Sequence, residues 1–199
     1  MPLILIAILL LACGVVMLFE RRGLRATFHL RWKGDIKRES RFLAQYGQAI
    51  CTAIAAILVL QLDPMTDAAG HAHKGRIVPV IFGVLLATGA ATVIKRLLGR
   101  VRPGRPDAGK FLGPTIKHAN YRESFPSSHS ASAVALSAGL SAMVPQAALT
   151  FWALALICAA LRFLLDAHWP SDILGGIALG YGSFLFSWWF FIHWLYHAG

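Results

Sequence analysis

The sequence predicts an all-α membrane bundle, and three observations carry that expectation. Of the 199 residues, 57% are hydrophobic and only 14% are charged, where a soluble domain carries about 25%. The apolar residues fall into six long runs separated by polar connections, the pattern of a polytopic membrane protein. The formal net charge of +10 is concentrated in those connections. Membrane-flanking loops or an anion site place basic residues this way, whereas a nucleic-acid surface gathers them on one solvated face. With a mean hydropathy of +0.60, the chain reads as a single integral-membrane domain over residues 1–199, without internal repeat or separate soluble part.

The first run, residues 3–19, resembles a signal-peptide core, but no basic residue precedes it and no small-residue cleavage site follows. Glu20-Arg21-Arg22 comes instead, so a retained, slightly short transmembrane helix is expected. From Arg21 to Arg41 there are eight Lys or Arg residues, and Leu24, Phe28, Trp32 and Ile36 recur at every fourth position. That spacing predicts a basic helix lying in the membrane interface between helices 1 and 2. Gly34 weighs against it, and a solvated basic linker is the plainer reading. The second run is 42–62 and the third 77–98. Between them, His71 and His73 form a His-x-His pair with no further ligand nearby, so no metal site is expected. The fourth run opens at Ser127, the fifth covers 147–165, and the sixth covers 173–196 with a Trp-rich end suited to the interface. Gly175, Gly176 and Gly180 offer small-residue spacing for close helix packing. Cys13, Cys51 and Cys158 lie inside apolar runs and read as small core residues.

Six alternating spans bring three polar groups to one membrane face. Lys95 and Arg102 follow span three, Ser127, Ser128 and His129 open span four, and Arg162, His168 and Asp172 lie around the connection of spans five and six. Lys95, Arg102 and Arg162 around one mouth would clamp a tetrahedral phosphate, the arginines as planar forks and the lysine as a point charge. Ser127 and Ser128 at a helix start would offer hydroxyls and backbone N–H groups to the same anion. Each also has a plainer reading: flanking charge for Lys95 and Arg102, helix cap for the serines, a snorkelling side chain for Arg162. Pro170 suits the first turn of span six, so Asp172 would reach back toward His168, as an orienter reaches a nucleophile or base. An acidic residue complementing the helix dipole beside an interfacial histidine is the alternative. With His129 arriving from another helix, two histidines can divide the work, one attacking phosphorus and the other protonating the leaving oxygen.

These residues resemble the type 2 phosphatidic acid phosphatase family. Its three motifs are Lys, six residues, then Arg-Pro; Pro-Ser-Gly-His; and Ser-Arg, five residues, His, three residues, Asp. Here they read Lys95 to Arg102-Pro103, Pro126-Ser127-Ser128-His129, and Leu161-Arg162 with His168 and Asp172. Spacing within each motif, motif order and the six-span frame all match, although the likeness covers mainly residues 95–176. The resemblance implies a membrane lipid phosphatase with His168 as nucleophile, through a phosphohistidine, Asp172 as its orienter and His129 as general acid. Lys95, Arg102, Arg162, Ser127 and the backbone amide of Ser128 would hold the phosphate, and neither metal nor other cofactor is implied. Two positions depart: Ser128 replaces the motif glycine, and Leu161 the serine before the arginine.

The resemblance implies a lipid phosphate or diphosphate entering from the bilayer, with undecaprenyl diphosphate, phosphatidylglycerophosphate, phosphatidate and a lipid A phosphate as candidates. Two rivals share the residues. A lipid-linked phosphotransferase would pass the phosphoryl group to an acceptor other than water, and a non-catalytic anion-binding transporter would bind without turnover. A vanadate-dependent peroxidase has related motifs but not the lipid-embedded frame. Family members usually work on the extracytoplasmic side of the cell membrane. The charge bias points the other way, because the active face carries eight basic residues in 21–41 and eight more in 95–122.

Overall fold

The computed structural model describes residues 2–23, 34–62, 76–115 and 119–195. Among them are seven α-helices and no strand: α1 Pro2–Arg21, α2 Gly34–Leu43, α3 Ala49–Leu62, α4 Ile77–Leu98, α5 Ser128–Met143, α6 Ala148–Leu164 and α7 Pro170–Trp189. A short π-helical turn, Phe190–Leu195, extends α7. An isolated antiparallel bridge joins Arg100 to Phe111 in the loop after α4.

Six of the helices correspond to the six apolar runs. Among the described residues three segments are long and apolar enough to cross a membrane by length and composition: Pro2–Arg21, Ile77–Leu98 and Pro145–Leu164. The other runs fall short for visible reasons. α3 has 14 residues, and α5 has 16, many of them serine and alanine. α7 is diluted by glycine and serine. Low hydropathy in α5 follows from its position. Every residue from 130 to 140 is buried, because α4, α6 and α7 surround it. A helix walled off from lipid by protein does not need large apolar side chains.

The core lies along α5. One cluster joins Val80, Val84 and Ala87 of α4 to Ala131, Ala135, Leu136 and Leu140, and a second joins Ala133 and Val134 to Ala155 and Cys158 of α6. On the opposite flank α7 approaches backbone to backbone. A methyl group on Gly180 would lie 2.2 Å from the Ala131 carbonyl oxygen, and one on Gly176 would lie 2.5 Å from that of Ser127. The glycines are therefore packing residues, as their spacing suggests. Large apolar side chains point outward around the bundle, with Leu3, Leu11, Ile50, Leu85 and Leu149 all well exposed. A surface of this kind is covered by bilayer, and the chain is a multi-pass membrane protein.

Of the basic segment between the first two spans, residues 24–33 lie outside the described residues, including Leu24, Phe28 and Trp32. Residues 34–43 form the polar helix α2, on which Ile36 is exposed. His71 and His73 also lie outside the described residues.

Candidate active site

The site forms where α4 and α6 end and α5 and α7 begin, and the ends of α4, α5 and α7 each have a local cause. α4 stops at Gly99, which takes a left-handed conformation (φ 61°) and donates its N–H to the Lys95 carbonyl at 2.9 Å. A methyl group added there would also lie 2.3 Å from the Gly113 carbonyl oxygen. The turn releases the chain into the loop that carries Arg100 and Arg102. α5 starts at Ser127, whose Oγ accepts from the Ser130 N–H at 3.4 Å and the Ser130 hydroxyl at 3.0 Å. α7 starts with Pro170 in its first turn, and the Asp172 carboxylate folds back to accept the Trp169 N–H at 2.9 Å. The Ser127 N–H donates to the Asp172 carbonyl at 2.9 Å, which ties the two helix starts together.

His168 is 1% exposed. Its Nδ1 lies 2.8 Å from the Ser124 carbonyl oxygen. A carbonyl can only accept, so Nδ1 carries the proton and Nε2 carries the lone pair. Nε2 is buried and has no hydrogen-bond partner among the described residues. Burial lowers the His168 pKa from its ordinary 6.5 to about 3, and the charges of Lys95 and Arg162 add to that effect against the opposing pull of Asp172. The ring is therefore neutral at physiological pH. Asp172 Oδ2 stands 3.7 Å from Nδ1, so the carboxylate acts on the ring through its charge and through Ser124. The Ser124 hydroxyl donates to Oδ2, while the Ser124 carbonyl receives the imidazole proton.

The remaining predicted residues gather around this pair. Lys95 is buried, and its Nζ donates to Ser128 Oγ at 3.0 Å. Ser128, the departure from the motif glycine, thus places its side chain on the lysine. Arg102 donates to three backbone carbonyls, from Nε to Asn120 at 2.7 Å, Nη1 to Ala167 at 3.1 Å and Nη2 to Glu123 at 3.3 Å. Five N–H groups leave two of them uncommitted by this count. Arg162 has a buried Nε without a partner among the described residues, and so does Nδ1 of His129. The charges of Arg162, Lys95 and Arg102 all bear on His129. Ser127 is the exception to the gathering of free donors, since its hydroxyl caps α5 and its N–H is held by Asp172. Among the described residues no three His, Cys, Asp or Glu side chains group as metal ligands do.

Sequence reasoning passed over four residues that the fold builds in beneath the histidine. Arg100, 1% exposed, spans two carboxylates: Nη2 donates to Glu20 Oε2 at 2.7 Å, and Nη1 donates to Asp172 Oδ1. Its guanidinium lies over the rings of Phe111, at 5.3 Å, and Trp169, at 5.6 Å. Glu20, at the end of α1, also accepts from the N–H of Ser171 at 3.0 Å and from its hydroxyl. Ser124 completes the set. Ser124 and Ser171 had no signal in the sequence. Glu20 had a faint one, as a carboxylate closing an apolar run otherwise flanked by arginines.

The arrangement offers a neutral, correctly tautomeric imidazole facing a group of cations, with a second imidazole beside it. Such a constellation can bind a phosphate dianion, attack its phosphorus and return a proton to the departing oxygen.

Comparison with known proteins agrees with this chemistry. The model of the PAP2 superfamily matches residues 76–195. The chain is 38% identical over 103 residues to a lipid A 1-phosphatase of Rhizobium etli, covering 51% of this chain and 42% of that protein. It is also 38% identical over 96 residues to a decaprenylphosphoryl-5-phosphoribose phosphatase of Mycolicibacterium smegmatis, covering 47% and 48% of the two. The matched stretches thus span about half the length of these relatives. In three dimensions the chain is similar to the crystal structure of Aquifex aeolicus LpxE, with a TM-score of 0.60, 17% identity and coverage of 79% and 87% of the two chains. It is similar too to a PAP2-type phosphatidylglycerolphosphate phosphatase from Bacillus subtilis, with a TM-score of 0.52, 16% identity and coverage of 94% and 93%.

Proposed function

The chain belongs to the PAP2 superfamily, and from that premise we propose that it is a metal-independent membrane lipid phosphatase working through a phosphohistidine on His168. The observation that carries this reading is the state of the His168 ring: Nδ1–H held by the Ser124 carbonyl, Nε2 buried and unpartnered among the described residues. Lys95, Arg102 and Arg162 would hold the phosphate oxygens, with Ser128 completing the clamp beside Lys95. Nε2 then bonds to phosphorus as the phosphorus–oxygen bond to the lipid breaks, and His129 gives that oxygen its proton. The ring becomes cationic at this moment, and the Asp172 carboxylate stabilises it. Water next attacks phosphorus, with His129 taking its proton, and inorganic phosphate leaves as the Nε2–phosphorus bond breaks.

The substrate is a phosphate carried on a lipid. The names of the relatives support that class: lipid A 1-phosphatase and decaprenylphosphoryl-5-phosphoribose phosphatase. The test is phosphate release by the purified chain in detergent, without acceptor, from lipid A phosphate, phosphatidate, phosphatidylglycerophosphate and undecaprenyl diphosphate. Turnover is expected to survive EDTA and to be blocked by vanadate, which takes the five-coordinate shape of the transferring phosphoryl group at His168. Loss of turnover on chelation, restored by added divalent metal, refutes the metal-free mechanism. Binding without release from all four lipids refutes the phosphatase reading.

We infer further that the active face is extracytoplasmic. The charge bias that opposes this is weaker than the count suggests, because four of the basic residues in 95–122 are turned into the protein. Lys95 lies on Ser128, Arg100 on two buried carboxylates, Arg102 on backbone carbonyls and Arg122 on the carbonyls of Leu112 and Gly113. Arginines used in this way report on the site's architecture rather than on topology. Arg105 is exposed on the same loop. In a variant with its native cysteines replaced, Arg105→Cys should react with a membrane-impermeant maleimide on intact spheroplasts. Labelling only after the membrane is permeabilised would put the site on the cytoplasmic side.

A further inference from the structure

We propose that Glu20 and Arg100 are positioning residues for the histidine nucleophile: the Arg100 guanidinium, clamped between the Glu20 and Asp172 carboxylates, holds the Asp172 carboxylate in place beside His168. This inference rests on the reading of His168 as nucleophile and extends the catalytic apparatus to α1, outside the stretch matched by the family model.

The geometry is a continuous buried chain. Glu20 reaches from the end of α1, Arg100 from the loop after α4, Asp172 from the first turn of α7 and His168 from the residues before it. Arg100 and Asp172 are 1% and 0% exposed, and the side chain of Glu20 is 4% exposed. Three charged groups out of water are tolerable only because each is bonded on several sides. Asp172 accepts from Arg100 Nη1, from the Ser124 hydroxyl and from the Trp169 N–H. Glu20 accepts from Arg100 Nη2 and from both donors of Ser171.

The count of charges explains why two carboxylates are present. With Asp172 alone, Arg100 would neutralise the carboxylate that has to stabilise the cationic ring. Glu20 divides the guanidinium's attraction, so the triad carries one net negative charge, which the ring cation complements as phosphorus is attacked. The other titratable groups acting on Asp172 or on its histidine are Cys13 from α1, Lys95 from α4, Arg102 from the loop of Arg100, His129 from α5 and Arg162 from α6. None of these changes in the variants below.

Replacing Arg100 by Gln leaves two buried carboxylates facing each other without a counterion, so one takes up a proton near neutrality. At pH 7 kcat should fall about 10–100-fold, the scale on which outer partners of an oriented histidine act, with KM little changed because the phosphate clamp is intact. Activity should recover toward alkaline pH as the carboxylate ionises again. Arg100→Lys keeps the charge and should show no such recovery limb. Glu20→Gln leaves one carboxylate per guanidinium and should lower kcat without a new ionisation. A purely structural role would lower folded yield in all three and create no pH limb in Arg100→Gln.

The same proton uptake is read without turnover. A carboxyl that ionises at higher pH in the folded than in the unfolded chain stabilises the fold at low pH and loses that contribution as pH rises through its folded value. The melting temperature of Arg100→Gln in detergent should therefore fall between pH 5 and 8 relative to the parent chain. If Arg100→Gln does not fold, Glu20→Gln decides alone: unchanged kcat, or a raised KM with unchanged kcat, overturns the proposal. Folded Arg100→Gln with a uniform loss across pH, or with the parent's melting profile, overturns it as well and leaves the phosphatase reading intact. A parent chain that releases no phosphate and forms no phosphoenzyme overturns the reading instead, while the melting profiles still report the coupling.

Discussion

Replacing His168 by alanine is expected to abolish turnover and any phosphoenzyme for every substrate, because no other group stands where Nε2 does. The contrast with His129 separates the two roles. His129→Ala leaves the attacking nitrogen in place, with Nδ1 still held by Ser124, and removes only the proton donor. A loss of about 10²–10⁴-fold is expected for an alkyl phosphate. A leaving group that departs without a proton, such as p-nitrophenolate, should recover part of that loss in His129→Ala and none in His168→Ala. Asp172→Asn should fall between the two, since it keeps the shape but loses the charge that supports the cationic ring. Phosphate release from alkyl and nitrophenyl phosphates by the three purified, folded variants reads all of this. Retained turnover in His168→Ala would show that the nucleophile has been assigned to the wrong ring.

Arg162→Met should also have a large effect. The Arg162 side chain is partly buried near the end of α6, and its buried Nε has no partner among the described residues, so its donor is available to a phosphate oxygen. Truncating one member of a desolvated charge pair costs about 2–5 kcal/mol, roughly 30- to 5,000-fold in kcat/KM. The backbone role of this residue survives the change, because the N–H groups of Ala167 and His168 donate to its carbonyl oxygen, at 3.1 and 3.2 Å. Loss of activity therefore need not mean a displaced nucleophile. Arg162→Lys should restore only a part, since an ammonium cannot offer two parallel donors to one phosphate. Inhibition by vanadate should weaken in parallel with activity. Unchanged vanadate inhibition in Arg162→Met would mean that the side chain only snorkels toward the membrane surface.

The residues in the three motifs could be picked out without coordinates because each bears chemistry that an apolar chain otherwise avoids. A charge or imidazole stands out against an apolar span, and the alternation of spans by itself carries Lys95, His129 and His168 to one face. Helix starts were legible for the same kind of reason. Ser127 and Pro170 have local backbone roles, cap and first-turn residue, that depend on nearest neighbours in the chain.

Other features depended on which helices touch. The plain reading of Ser127 as a cap describes its hydroxyl, and only the approach of α7 shows its N–H held by the Asp172 carbonyl. The motif pairs the His168 ring with Asp172, four residues along, but the Nδ1 bond goes to the carbonyl of Ser124, 44 residues away. A backbone carbonyl carries no residue identity, so no motif could announce it.

The sequence by itself determined the class of the fold, the face at which the polar groups meet and the chemical types that meet there. Tertiary structure decided that α5 is the buried helix, that Gly176 and Gly180 admit α7 against it, and that Glu20 and Arg100 lie behind Asp172 and His168. The physical reason is range. Hydropathy, caps and turn residues act over a few positions, whereas Glu20 and Asp172 meet across one guanidinium only after α1 has packed on α7.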